Sequence, residues 1–246
     1  MTAATASPHT DPAEIARFAA QAAEWWNPHG PMAALHRINP VRIGYIRDRL
    51  CAHFGSDPKQ AKPLRGLAIA DIGCGAGLLC EPLARLGATL TGVDAAPENI
   101  TAATAHAAGM ELAIRYRGAT AEELAGETFD AVLAMEIIEH VPDPAAFTGA
   151  VAALVKPGGA LIASTLNRTP KSLALGVVAA EYLLRWVPRG THDWRKFVKP
   201  SEFARDLRAS GMTVSDVTGI SFEAATGTFA LSRDVDVNYL LTAAKA

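Results

Sequence analysis

The sequence predicts an α/β protein: a seven-stranded, mainly parallel sheet with an antiparallel C-terminal hairpin and an N-terminal helical cap. Three observations predict it. Short apolar runs that read as buried strands alternate with helix-like stretches. A glycine cluster stands where the first of those strands ends. The C-terminal segments instead alternate apolar and polar residues, the signature of strands with one wet face.

Taken in order, Met1 to Pro12 is rich in Ala and Thr and lacks both a basic start and an apolar run. It is expected to be a disordered tail and not a signal peptide. Residues 13–60 carry helical periodicity around Ile15–Trp25 and Val41–Leu50, and are expected to cap or cover a site. The main domain is expected over 61–246. Its strands are predicted at Leu67–Ile72, Thr89–Asp94, Leu112–Tyr116, Phe129–Ala134 and Gly159–Ser164. Its helices are predicted at Leu78–Leu86, Pro97–Ala108 and Pro144–Leu154. Met212–Ile220 and Val235–Thr242 leave no room for a crossover helix and are expected to form the terminal hairpin.

Composition narrows the function. Half of the 246 residues are hydrophobic, enough for one α/β domain with a sizeable core. The net charge of −2 does not suit a generally basic nucleic-acid binder. Cys51, Cys74 and Cys80 are odd in number and form no CxxC pair, so a disulfide framework or zinc site is not expected and a reducing compartment fits. No apolar run reaches the roughly 18 residues of a membrane span.

The loop is Asp71-Ile72-Gly73-Cys74-Gly75-Ala76-Gly77, between strand and helix, where glycines permit a tight turn and close approach of a ligand. Asp94 ends the next strand, 21 residues beyond Gly73, where a carboxylate can accept from both ribose hydroxyls of a nucleoside. The spacing is G-x-G-x-G, with Leu78 where a dinucleotide site wants its third glycine. Asp71 suits a ligand that carries an amine. The expected cofactor is therefore S-adenosyl-L-methionine, bound through Asp71, Gly73, Gly75, Gly77 and Asp94. Cys74 and Cys80 read as small buried residues and not as nucleophiles.

After the fourth strand comes Met135-Glu136-Ile137-Ile138-Glu139-His140-Val141-Pro142. Such strand ends are where ligands bind in open α/β sheets. If the segment turns helically, Glu136, Glu139 and His140 point the same way. Three readings stay open. Two carboxylates and an imidazole can hold a hard divalent cation, Mg2+, that acidifies a bound phenol. The same residues can merely cap the turn and bond locally. His140 alone can act as a general base.

The flanking sequence resembles a family. Phe18, Trp25-Trp26, Leu35-His36-Arg37-Ile38-Asn39-Pro40-Val41-Arg42 and Tyr45-Ile46 are similar to the N-terminal signature of the ubiquinone-biosynthesis O-methyltransferases. The likeness continues through Asp71–Gly77, Met135–Pro142, Val155–Gly159, Ser164–Arg168, Pro188–His192, Lys199-Pro200 and Val235–Tyr239. Ala76 departs from relatives that carry a further glycine. The resemblance implies a class I Rossmann-like methyltransferase fold and transfer of methyl from S-adenosylmethionine to hydroxyls of two polyprenylated, catechol-type intermediates. It implies cofactor contacts at Arg42, Gly73, Asp94 and Met135, and a magnesium site at Glu136, Glu139 and His140. Asn167 and His36 are further candidates for the substrate pocket.

Residues 168–199 hold seven cations (Arg168, Lys171, Arg185, Arg189, Arg195, Lys196, Lys199) against Glu181 and Asp193. They flank the apolar Leu173–Val187, which carries Tyr182 and Trp186; Trp194 and Phe197 follow. A basic rim around an apolar, Trp-bearing helix suits an anionic lipid surface. An ordinary amphipathic helix packed on the core gives the same pattern. The expectation is a cytoplasmic, peripherally membrane-associated enzyme that could meet other enzymes of the same pathway there and binds no nucleic acid. Two rivals are weighed. A nucleic-acid methyltransferase would draw on the basic segment, but no Asn-Pro-Pro-aromatic motif is present. A non-catalytic nucleotide-binding scaffold would not need Asp71–Gly77, Asp94 and Glu136–His140 together.

Overall fold

The structure, a computed structural model, describes residues 11–175, 177, 193–223 and 225–246. Asp11 accepts from the Ala13 amide and Pro12 takes the first helical position, so helix α1 (Pro12–Ala19) already starts at the edge of the expected tail. A 3-10 turn at Ala22–Glu24 leads to α2 (Ala33–Phe54), which ends at Gly55 in the left-handed conformation. This cap is docked at its far end too. The Tyr45 hydroxyl donates to Asp216 (2.7 Å) and lies 2.8 Å from the Thr242 hydroxyl.

The sheet follows from buried β-runs at β1 (Ala68–Ile72), β2 (Thr89–Asp94), β4 (Phe129–Met135) and β5 (Val155–Leu166); β3 (Arg115–Gly118) is an edge strand with no buried residue and starts three residues later than the expected Leu112–Tyr116. Between them run α3 (Cys80–Arg85), α4 (Pro97–Gly109) and α5 (Pro144–Ala153). A short helical turn α6 (Pro170–Ser172), helix α7 (Pro200–Ala209), and strands β6 (Met212–Glu223), β7 (Thr228–Ser232) and β8 (Asn238–Lys245) complete it. The order is β3-β2-β1-β4-β5-β8-β6-β7. The first five strands are mutually parallel; β8, β6 and β7 are antiparallel to their neighbours.

The parallel sheet with an antiparallel C-terminal end is the expected architecture, with one strand more than expected. β7 was missed because Thr228–Ser232 is a short edge strand without a buried face. It separates the two expected hairpin strands in sequence, but β6 and β8 still pair. Helix α7 also lacked an expectation. Its apolar residues Phe203, Ala204 and Leu207 form a stripe too narrow to stand out, yet they are buried.

One core packs on each face of the sheet. Phe147, Val151, Phe203 and Tyr239 fill one side; Tyr45, Ile46, Leu50 and Leu83 fill the other. The order reverses between β1 and β4, so their C-terminal ends open a crevice, and the cap lies over it. The expected apolar helix Leu173–Val187 and the block Pro188–His192 lie almost wholly outside the described residues. At the described flanks, Leu173 and Leu175 are exposed. Arg168 pairs with Glu202, and Lys171 pairs with Asp234. The Trp194 indole donates to Thr169 O, and Phe197 is in the core.

Candidate active site

A cavity of about 250 Å3 lies where β1, β2 and β4 end. It is continuous from Asp71, Gly73 and Asp94 on one side to Ile15, Phe18, Met32 and Leu35 of the cap on the other. Its lining includes Arg42, Met135, Glu136 and His140. One space therefore reaches both the predicted cofactor loop and an apolar roof.

The loop is built by register. Gly73 and Cys74 amides both donate to Val93 O, closing the end of β1 against β2. Gly73, Gly75 and Gly77 all have positive φ, which only glycine adopts without strain. The glycines differ in use. A side chain on Gly75 would collide with the Trp25 ring, and one on Gly77 with the Tyr116 hydroxyl. Gly73 lines the cavity, whereas Gly75 and Gly77 lie outside its lining and make room for packing.

Asp94 accepts from the Gly75 amide (2.8 Å), the Ala96 amide (2.9 Å) and the Asn99 carboxamide (3.1 Å). Burial pushes its carboxyl up, and these donors counter the shift. Asp71 is buried and, among the described residues, accepts only from the Cys80 thiol, at 3.3 Å. Burial raises its carboxyl to about 6. A cationic amine would restore its charge. Burial lifts the Cys74 thiol to about 11, and the Cys74 contact together with burial holds the Cys80 thiol well above its usual range, so neither is a ready nucleophile.

Glu136 has φ 53°, a left-handed conformation that strains a non-glycine residue. It is held there from two sides. Its amide donates to Ser164 O (2.9 Å), and the Ser164 hydroxyl donates to its Oε1 (2.7 Å). The same oxygen lies 2.6 Å from the guanidinium of Arg42, whose Nε is buried with no partner among the described residues.

The expectation that Glu136, Glu139 and His140 point one way is not met. The left-handed turn at Glu136 and the irregular backbone of Ile137 (φ −123°, ψ −34°) precede a single 3-10 turn at Ile138–His140. Glu139 consequently points into the core behind the cavity wall, where it accepts from the Thr165 hydroxyl (2.9 Å). Burial raises its carboxyl, and the nearby Glu136 adds to the rise. His140 stays at the cavity, its Nδ1 3.1 Å from Glu14 of α1 and its ring edge-on to Phe18. The imidazole beside Glu14 holds that carboxyl down at about 2. No group of three ligand-type side chains among the described residues is arranged for a metal, and these three residues do not fit one as they stand.

Sequence reading missed Trp25, Asn39, Asn99 and Thr120. Each lines the cavity and buries a polar atom that has no partner among the described residues. Trp25 and Asn39 lay within the quoted signature, but spacing gives no sign of where an indole or amide points. His36 is elsewhere: its Nε2 lies 2.8 Å from Trp25 O and braces the cap. Asn167 donates to Val235 O and does not line the cavity.

Residues 70–163 match the family described as "Methyltransferase domain". The chain is 55% identical over 241 residues to the "Ubiquinone biosynthesis O-methyltransferase" of Methylobacterium nodulans, covering 97% of each. It is 52% identical to the protein of that name from Rhizobium etli, covering 95% of each. Among solved structures it resembles a magnesium protoporphyrin IX methyltransferase from Synechocystis with bound SAM, with TM-score 0.63 and 18% identity over 99% of this chain and 100% of that one. It also resembles the [4+2]-cyclase SpnF, with TM-score 0.57 and 17% identity over 82% and 81%. At such identities these two speak for the fold.

Proposed function

The chain belongs to the ubiquinone biosynthesis O-methyltransferases, and from that premise we propose that it methylates two catechol-type hydroxyls on polyprenylated aromatic intermediates. The carrying observation is the single cavity that joins the Asp71–Gly73–Asp94 wall to the apolar cap. In this reading Asp94 receives the ribose hydroxyls, Asp71 faces the methionine amine, and Met135 packs on the cofactor. The unpartnered Nε of Arg42 supplies a donor for the methionine carboxylate. The acceptor ring lies under Phe18 and Leu35.

The step is a displacement. A lone pair of the ring oxygen forms the O–CH3 bond while the C–S bond breaks, leaving S-adenosylhomocysteine. The phenolic proton passes to His140, whose ring Glu14 and Phe18 hold at the cavity. Placement of oxygen and methyl side by side in one cleft lowers the barrier by making the transfer effectively unimolecular. Magnesium would require Glu136 to give up Arg42 and His140 to give up Glu14, so no step is routed through it.

We further propose that the enzyme meets its greasy substrate at the anionic cytoplasmic face of a membrane through 168–199, where other enzymes of the pathway could dock. The exposed Leu173 and Leu175 support this reading. No helix among the described residues is long and apolar enough to cross a membrane. Flotation with anionic liposomes, with and without Leu173–Val187, tests it; equal recovery of both forms would sink it. The reaction itself is tested with methyl-labelled cofactor and a short-prenyl catechol. One labelled aryl methyl ether should form per S-adenosylhomocysteine released. Absence of transfer to any catechol would overturn the reading.

A further inference from the structure

The cap carries a polar group that the fold does not use. Asn39 is 7% exposed, and its carboxamide oxygen has no hydrogen-bond partner among the described residues. It lines the cavity from α2, one helical turn before Arg42. An unpartnered buried amide costs stability, so an apolar residue would serve the fold better here. The group must be satisfied by what enters the cavity.

Position decides which part of the ligand that is. Asn99, in the first turn of α4, donates to Asp94 beside the expected ribose, Thr120 follows the end of β3, and Arg42 stands at the expected carboxylate. Asn39 instead lies toward the N-terminal end of α2, next to Leu35 and Met32 of the apolar roof. Trp25, whose indole N–H is also buried with no partner among the described residues, lines the cavity as well. A ring seated under that roof meets Asn39 before any other polar side chain of α2.

We propose that the Asn39 carboxamide recognises the oxygen substituent adjacent to the reacting hydroxyl. The proposal rests on the catechol-methylation reading above. An amide offers an acceptor and two donors on one planar group. It can accept from a neighbouring hydroxyl in one substrate and donate to a neighbouring ether or carboxylate oxygen in the other. A single residue thus reads the vicinal oxygen in both substrates without choosing its protonation state. Asn39 is a specificity residue here and takes no part in bond making.

The test compares Asn39→Leu and Asn39→Asp with the unaltered enzyme. The substrates are a short-prenyl catechol, its mono-ether and the matching monophenol. Asn39→Leu should raise KM for the catechol about tenfold or more, the loss of one hydrogen bond, while cofactor Kd stays within about twofold. Its kcat/KM for the monophenol should not change, so the preference for a vicinal oxygen collapses. Its melting temperature should hold or rise, since a polar group without a partner has been removed. Asn39→Asp, isosteric but without donors, should keep the catechol and lose the mono-ether. An unchanged catechol preference in both variants would overturn the proposal. So would a fall in melting temperature together with lost cofactor affinity, which marks a structural role. If the unaltered enzyme methylates no catechol, the methyl-transfer reading itself fails; catechol turnover with unmoved preference removes only the assignment of Asn39.

Discussion

The guanidinium of Arg42 lies 2.6 Å from the carboxylate of Glu136, across the mouth of the crevice between the cap and β4. Arg42 is 3% exposed, so the pair is little screened by water. The cap and the catalytic strand end are thereby tied together, and a cofactor carboxylate would compete for the same cation.

That competition gives the first prediction. Arg42→Met should weaken S-adenosylmethionine binding by about tenfold or more, because a charge-assisted partner is lost and Glu136 is left unpaired. Glu136→Gln should not weaken binding, since it frees Arg42. Titration calorimetry and steady-state kinetics on both variants check this. Equal loss of affinity in the two would contradict it.

Asp71 predicts a pH dependence. Its carboxyl is raised to about 6 in the folded protein from an ordinary 3.8. The folded state then holds more protons than the unfolded state between those values, so this group lowers stability as pH rises from about 4 to about 6. Above that window the penalty is on the order of 3 kcal/mol. Asp71→Asn should therefore melt higher than the unaltered protein at pH 8 without cofactor, yet bind cofactor less tightly. Binding to the unaltered protein should tighten as pH rises through about 6. Thermal scans with and without S-adenosylhomocysteine measure both effects.

Trp26 fastens the cap to the cofactor loop. Its indole donates to Ala76 O (3.0 Å), and its ring stacks on His106 at 3.5 Å, while His106 lies 2.6 Å from buried Glu81. Trp26→Phe should keep the stack and lose the hydrogen bond; Trp26→Ala loses both. Cofactor affinity should fall in that order, and limited proteolysis between α1 and α2 should quicken in the same order.

Gly75→Ala should be worse than its size suggests. Its φ is +54°, and the added carbon would come within 2.1 Å of the Trp25 ring. Cofactor binding should be lost and the cap displaced, seen as increased exposure of Trp25 to a fluorescence quencher. Gly55→Ala, at a helix end with open space, should cost only its left-handed strain, about 1 kcal/mol of stability.

Four of the five parallel strands were legible because they are apolar runs, whereas the bounds of β3 slipped because Arg115–Gly118 is a polar edge strand; Asp71, Gly73 and Asp94 were legible because register fixes them at adjacent strand ends. Glu136, Glu139 and His140 were not, because their directions depend on one left-handed φ that an i, i+3, i+4 spacing cannot reveal. Trp25 and Asn39 were hidden for a related reason. Each belongs to a cap whose meeting with the glycine loop is a contact across about 50 or fewer residues of chain, not a local pattern.

The proposed transfer requires one cavity that holds both reactants in line. A crystal structure with S-adenosylmethionine analogue and a short-prenyl catechol measures that directly. The account predicts the sulfonium beside Gly73, the ring beneath Phe18 and Leu35 with one oxygen on Asn39, and the reacting oxygen about 3–3.5 Å from the methyl position. A ring bound outside the cap, or a cofactor whose sulfonium faces away from it, would contradict the account.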